Sequence, residues 1–217
     1  MECEGLVFRR TQAVKGRSVL LLFTDQCGKI SAGTSISERG KGRSALAVRR
    51  FTRGRYQLTE NRGRWNVRGA EAVHAYLALA EDYDRYQAAS LALEFTEKML
   101  PEDVPEPEIY RLLVEYLGIL EERKQDYDTV SSAYFLKAFQ ALGVLPAPEN
   151  FHSDALLSAL DFVTIDTIIY IRDNPLCAMR NLTLPSEKSA KLLRLLLRYG
   201  AAQFDIGPLK SDLPKEV

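Results

Sequence analysis

The chain has few of the residues that build metal centres and disulfide frameworks. Its 217 residues include three cysteines and two histidines, and Cys3, Cys27 and Cys177 are scattered without a Cys-x-x-Cys pair. A structural zinc site needs about four Cys or His ligands in close pairs. We therefore expect isolated, reduced thiols and no bound metal.

Long hydrophobic segments are also missing. No run of 18 or more apolar residues occurs, and Met1-Glu2-Cys3-Glu4 lacks the basic segment with which a signal peptide begins. The sequence therefore predicts neither a membrane span nor a signal peptide, and we expect a cytoplasmic, nucleoid-associated protein. Hydrophobic residues make up 46% of the chain, which is enough for a proper core.

Motifs for catalysis and nucleotide binding are absent as well. Neither His74 nor His152 has a nucleophile motif around it, and the acidic cluster at 81–84 is typical of a solvated helix surface. The loop at 37–44 contains two glycines but lacks the Gly-Lys-Ser/Thr ending of a phosphate-cradling loop. We predict no catalytic residue and no cofactor, and hence a protein that is not an enzyme.

The formal net charge of zero hides a very uneven distribution. Residues 1–70 carry fifteen Lys and Arg against five Asp and Glu, whereas residues 71–217 carry fourteen against twenty-four. Twelve of the fifteen N-terminal cations are arginines, whose guanidinium can donate two parallel hydrogen bonds to a phosphate. The asymmetry predicts two units, of which the basic one faces a polyanion such as nucleic acid. A solvated cationic surface without a partner is the alternative.

The basic half has the alternation of β-strands. Apolar and polar residues alternate between Leu6 and Val67, and the continuous apolar run at 19–23 suits a strand covered on both faces. Gly16 and the Cys27-Gly28 pair are expected turn positions. Five short antiparallel strands within about 70 residues predict a small Greek-key barrel of the OB type, which binds nucleic acid on one sheet face and the adjoining loops.

The predicted fourth strand, at 46–58, carries the centre of the candidate DNA-binding surface. Its even positions are apolar, whereas its odd positions carry arginines and Phe51, so cations for phosphates and an aromatic ring for a base share one face. Packing of Phe51 beneath the helical half is the alternative, and Trp65 is expected in the core beside Val67. The predicted DNA-binding residues are Lys15, Arg17, Lys29, Arg39, Lys41, Arg43, Arg49, Phe51, Arg53, Arg55, Arg64 and Arg68.

From about Ala75 the apolar residues recur at helical spacing. Five segments predict helices: 75–100 with Tyr83 and Tyr86 on its apolar stripe, 107–120, 129–142, one capped by Ser153, and one from Ser186 to Gly200. The β-branched stretch 163–171 is ambiguous between helix and strand. We predict an α+β chain with an OB-fold nucleic-acid-binding domain at 1–74, an all-α helical domain at 75–204 and a tail at 205–217.

Short motifs follow one another along the chain in a characteristic order. They are Phe23-Thr24 before Gly28-Lys29-Ile30, then Phe51-Thr52, Ala70-Glu71, Leu100-Pro101-Glu102, and the stretch from Leu182 to Glu187 before a Leu-rich segment. In order and spacing these motifs resemble RecO, the family of bacterial recombination mediators, over most of the chain.

The resemblance implies a DNA repair protein that binds single- and double-stranded DNA and anneals complementary strands. It also implies two protein partners, RecR and the tail of the single-stranded-DNA-binding protein, with which RecO proteins help RecA to load. Many relatives carry a four-cysteine zinc module in the helical domain, where this chain has only Cys177. We therefore expect the zinc module to be absent and the stretch 156–171 to fill its place.

Two alternatives stay open. The first is an OB-type RNA-binding module, which competition between RNA and DNA would distinguish from a DNA-binding protein. The second is a protein-interaction scaffold whose basic half docks an acidic partner, and a lack of nucleic-acid affinity at low salt would favour it.

Overall fold

The chain divides into two units. The first comprises Met1–Ala78 and Leu100–Val114, and the second Leu79–Met99 and Glu115–Val217. The structure, a computed structural model, describes residues 1–13, 17–155, 157–159, 161–207 and 209, without the side chains of 152, 159, 162 and 163.

The first unit is built around a closed barrel of five strands in the order β1-β2-β3-β5-β4. All neighbouring strands are antiparallel except β3 and β5, which are parallel. This arrangement confirms the predicted OB-type barrel. The strands are β1 (Glu2–Gln12), β2 (Ser18–Thr24), β3 (Gly28–Thr34), β4 (Thr52–Asn61) and β5 (Arg64–Ala75), with a short helix α1 (Arg43–Leu46) before β4.

The barrel interior holds several of the apolar positions that the alternation predicted, among them Ile30, Leu58 and Val67. Burying each large side chain contributes about 1.5–3 kcal/mol, so this cluster is the main source of stability in the unit. Tyr56 is fully buried, and its hydroxyl donates a 2.6 Å hydrogen bond to the carbonyl of Ala47, so this buried hydroxyl has a partner. The cluster consists of Cys3, Val7, Leu20, Leu22, Ile30, Ala32, Val48, Tyr56, Leu58 and Val67.

The turn between β2 and β3 lies where the Cys27-Gly28 pair predicted it. Gly28 has φ +70°, and a Cβ built there would lie 2.0 Å from the carbonyl oxygen of Val104. Glycine is therefore required twice at this position, for the left-handed backbone and for the close approach of residues 100–114.

The second unit is helical. Helix α3 begins in the first unit and continues past Val114 into the second. Short 3-10 turns occupy 148–153, 157–159 and 176–181. The helices are α2 (Tyr83–Met99), α3 (Pro107–Glu122), α4 (Tyr127–Ala141), α5 (Phe162–Asp173) and α6 (Ser186–Gln203).

The ambiguous β-branched stretch is helical. Asp161 precedes α5, and its carboxylate accepts a 2.8 Å hydrogen bond from the backbone N–H of Thr164, which makes it the N-cap. The prediction that Ser153 caps this helix was wrong, because Ser153 ends a 3-10 turn and α5 starts nine residues later.

The end predicted for the last helix was also wrong. Gly200 lies inside α6, where a Cβ would approach the rings of Phe139 and Phe95 to 2.4 and 2.6 Å. Its missing side chain makes room for these aromatic rings rather than ending the helix. The stripe predicted for α2 was wrong in part, because Tyr83 and Tyr86 are 60% and 37% exposed.

None of the helices in the described part of the chain is both long and apolar enough to cross a membrane.

Candidate nucleic-acid interface

An open groove of about 840 Å³ lies on the barrel where β4 turns into β5. It combines residues of β2, β3, β5 and the end of β4 with those of two connections, the one before β2 and the one between β4 and β5. None of the described residues that line it is acidic. The lining consists of Arg17, Val19, Ser31, Gly33, Asn61, Arg62, Gly63, Arg64, Trp65 and Asn66.

The groove is the open part of a sheet face that is otherwise covered. Val19 and Ser31 lie at outward positions of β2 and β3 and are exposed. Farther along the same face, the ring of Phe23 contacts that of Tyr110, with 5.7 Å between ring centroids. The Nζ of Lys29 donates a 2.7 Å hydrogen bond to the carbonyl of Leu100. Residues 100–114 thus close one end of the face and leave the groove at the other.

Three arginines reach the groove from two sides. Arg17 directly precedes β2, Arg62 lies in the β4–β5 turn, and Arg64 begins β5; all three are exposed. No ion pair with another described residue occupies any of them. In contrast, Arg43 pairs with Glu71 at 2.7 Å. The groove therefore offers three guanidinium groups to an anionic ligand.

Trp65, the single tryptophan of the chain, contacts both the barrel core and the groove. It is half-buried, packs against the barrel core, and also lines the groove. Its indole N–H donates a 3.3 Å hydrogen bond to Asp103. The core position predicted for it is thus only part of its role.

Of the predicted DNA-binding residues, Arg17 and Arg64 meet in the groove. Lys15 lies outside the described residues. Arg62 was not predicted, because alternation along a strand identifies the residues on its faces and not those in turns. Its position directly before Gly63, between two strands, is nevertheless a turn signal. Outside the groove lining, the exposed cations of the predicted set are Arg39, Lys41, Arg43, Arg55 and Arg68.

The structure contradicts the predictions for Phe51 and Lys29. Phe51 is 6% exposed and precedes β4, with φ +59°, instead of lying on the solvent face of a strand. Its N–H donates to the carbonyl of Val7, which fixes it against β1. Lys29 is 8% exposed, and its ammonium is held by the backbone of Leu100. Neither side chain is free to contact a nucleic acid.

Two further arginines of the predicted set, Arg49 and Arg53, are half-buried. The guanidinium of Arg49 donates to the carbonyls of Glu38, at 2.7 Å, and Gly40, at 3.2 Å, so it holds the 37–42 loop in place. Arg53 is half-buried, and its Nε is buried without a hydrogen-bond partner among the described residues. Arg49 is therefore a structural residue of the loop.

The cysteines are free thiols, and burial raises the pKa of Cys3 to about 12, which keeps it protonated. Within the described ranges, no three His, Cys, Asp or Glu side chains come together in a way that could hold a metal ion.

Comparison with known proteins supports the resemblance drawn from the motifs. A family model described as "Recombination protein O C terminal" matches residues 80–155. The chain is 28% identical over 145 residues to the DNA repair protein RecO of Exiguobacterium sibiricum, covering 67% of this chain and 58% of that protein. For the DNA repair protein RecO of Bifidobacterium animalis subsp. lactis the identity is 32% over 142 residues, covering 64% and 59%.

A third relative, the DNA repair protein RecO of Pelotomaculum thermopropionicum, is 28% identical over 149 residues, which cover 69% of this chain and 57% of the relative. The chain thus spans a little under three fifths of the length of these relatives. The resemblance to the RecO family is confirmed.

Proposed function

Starting from this resemblance to RecO, we propose that the protein acts in DNA repair and recombination, and that it binds DNA through the groove of its barrel. The observation that carries the proposal is the convergence of Arg17, Arg62 and Arg64 on one groove of an OB-type barrel. Such barrels bind oligonucleotides on the face of strands 2 and 3 with the flanking loops, which are the elements that line this groove.

The chemistry of the lining fits a polynucleotide backbone. Guanidinium groups bind phosphates with charge-assisted hydrogen bonds, and the release of counterions from the nucleic acid adds to the affinity. Ser31 and the side-chain amides of Asn61 and Asn66 supply neutral hydrogen-bonding groups between the cations. Binding of this kind depends on phosphates more than on bases, and it therefore tolerates many sequences.

Annealing follows from the same electrostatics. Two complementary strands repel each other through their phosphates, and a protein that neutralises part of this charge lowers the barrier to pairing. The proposed activity needs no nucleotide hydrolysis and includes binding of both single- and double-stranded DNA. In the same proposal RecR and the tail of the single-stranded-DNA-binding protein are the protein partners, and loading of RecA is the result.

The proposal predicts faster annealing of complementary oligonucleotides when the protein is present and ATP is not. The measurement is the quenching of a fluorophore on one strand by a quencher on the other, with protein-free strands as control. A strict requirement for nucleotide hydrolysis would contradict the proposal. Stronger binding to RNA than to DNA in competition would favour an RNA-binding module, and no affinity for either at low salt would favour the scaffold.

A further inference from the structure

The turn between β4 and β5 has an uncommon residue at its first position. Asn61 pairs with Arg64, so the turn consists of Arg62 and Gly63 alone. Their φ angles are +52° and +72°. A two-residue hairpin turn with two positive φ angles is of type I′, whose twist matches that of the strands and which strongly favours Asn, Asp or Gly at its first position.

Arginine does not fit this position by its backbone preference. A side chain with a Cβ is disfavoured in the left-handed region, and arginine lacks the short polar group with which Asn and Asp stabilise it. Gly63 at the second position is the residue that the turn favours. Only the first position departs from the preference, and its side chain is exposed in the lining of the groove.

Local packing gives no reason for an arginine here. Among the described residues, the guanidinium of Arg62 has neither an ion pair nor a hydrogen bond. A residue held in an unfavourable backbone conformation without compensating contacts points to a role outside the fold. The groove supplies that role, because Arg62 shares it with Arg17 and Arg64.

We propose that Arg62 is a phosphate-contacting residue at the tip of the β4–β5 hairpin, kept there at the expense of turn stability. The inference rests on the proposed function and deepens it. A single extended strand lies between Arg17 on one side of the groove and the hairpin on the other, and Arg62 binds its phosphates without reading bases. The hairpin is then part of the binding site, not only a connection.

The test is the substitution Arg62→Asn, which should change stability and affinity in opposite directions. Asn fits the type I′ turn, so the unfavourable backbone conformation is relieved. The Tm should therefore rise by roughly 2–4 °C, the usual size of a modest stabilisation in a chain of this length. Loss of one phosphate contact should raise the Kd for an oligothymidine roughly fivefold at about 0.1 M salt and reduce the slope of log affinity against log salt by about 0.7.

Two matched variants separate charge from backbone. Arg62→Lys keeps the charge and the unfavourable conformation, so both the Tm and the salt slope should stay near those of the natural protein. Arg111→Gln removes an exposed arginine of α3 in the same unit, outside both the groove lining and the predicted DNA-binding set, and should change neither.

A higher Tm for Arg62→Asn with unchanged affinity would overturn the inference, and so would a lower Tm. The proposed function is judged separately by Arg17→Gln and Arg64→Gln. If these two weaken binding and Arg62→Asn does not, the groove remains the binding site without Arg62. If none of the three weakens binding, the proposed function fails as well.

Discussion

Replacing Arg17, Arg62 and Arg64 together with Gln is expected to weaken the binding of an oligothymidine about 100-fold at about 0.1 M salt. For single strands each neutralised phosphate contributes about 0.7 to the slope of log affinity against log salt, so each contact is worth roughly fivefold at this salt concentration. Three contacts multiply to about two orders of magnitude, and the salt slope should flatten by about 2. Fluorescence anisotropy at several salt concentrations measures both quantities.

A second triple variant is the control for the loss of charge. Arg43, Arg55 and Arg68 are exposed arginines of the same unit that do not line the groove. Their replacement by Gln removes an equal number of positive charges, three. We expect a loss of less than about tenfold, because these residues act on the strand only through the screened field of the barrel. Equal losses in the two triple variants would contradict the groove as the site and indicate that the strand also contacts the exposed arginines of α1, β4 and β5.

Replacing Phe51 with Ala is expected to destabilise the first unit by about 3–5 kcal/mol, the usual cost of removing a buried phenylalanine. The side chain is 6% exposed, and the guanidinium of Arg50 lies 4.6 Å from its ring centroid. Its carbonyl also accepts a hydrogen bond from the N–H of Tyr76, so the residue links the middle of β1 to the end of β5. Thermal or urea denaturation measures the loss.

Binding by the folded fraction should be unchanged, since Phe51 does not reach the groove. Phe51→Leu keeps most of the apolar volume and should cost less than about 1.5 kcal/mol, which provides a folded variant for the binding measurement. Leu77→Ala removes a side chain that is 60% exposed and should have almost no effect on stability. A stable Phe51→Leu protein with strongly reduced affinity would show that the ring stacks on a base after all.

Local patterns in the sequence predicted the barrel because its strands alternate with few interruptions. Ile30, Ala32, Tyr56 and Leu58 lie inside as the alternation requires. Such patterns could not assign the stretch 163–171, because β-branched residues disfavour a helix only weakly. The helix observed there begins at an N-cap supplied by Asp161.

The errors in the candidate site came from contacts that are distant in sequence. Lys29 lies on the outer side of β3, as predicted, but residues 100–114 cover that end of the face. The alternation of residues within β3 cannot predict that a segment about 70 residues later in the chain covers this strand. Arg49 was assigned to a strand, whereas α1 and the following turn direct it to the carbonyls of the 37–42 loop.

The groove itself could not be predicted from the sequence, because it forms only when the five strands close into a barrel. Arg17 precedes β2, whereas Arg62 and Arg64 lie at the turn between β4 and β5. The parallel pairing of β3 with β5 brings this turn close to the start of β2. A pattern along one strand cannot show which loops meet at one end of a barrel.

The most direct test of the groove as the nucleic-acid site uses Trp65, whose fluorescence is the only tryptophan signal of the chain. Titration with an unlabelled oligothymidine should change the emission of Trp65 in a saturable way. The midpoint should match the Kd from anisotropy and shift with salt as that Kd does. Binding seen by anisotropy without any change in Trp65 emission would contradict the account.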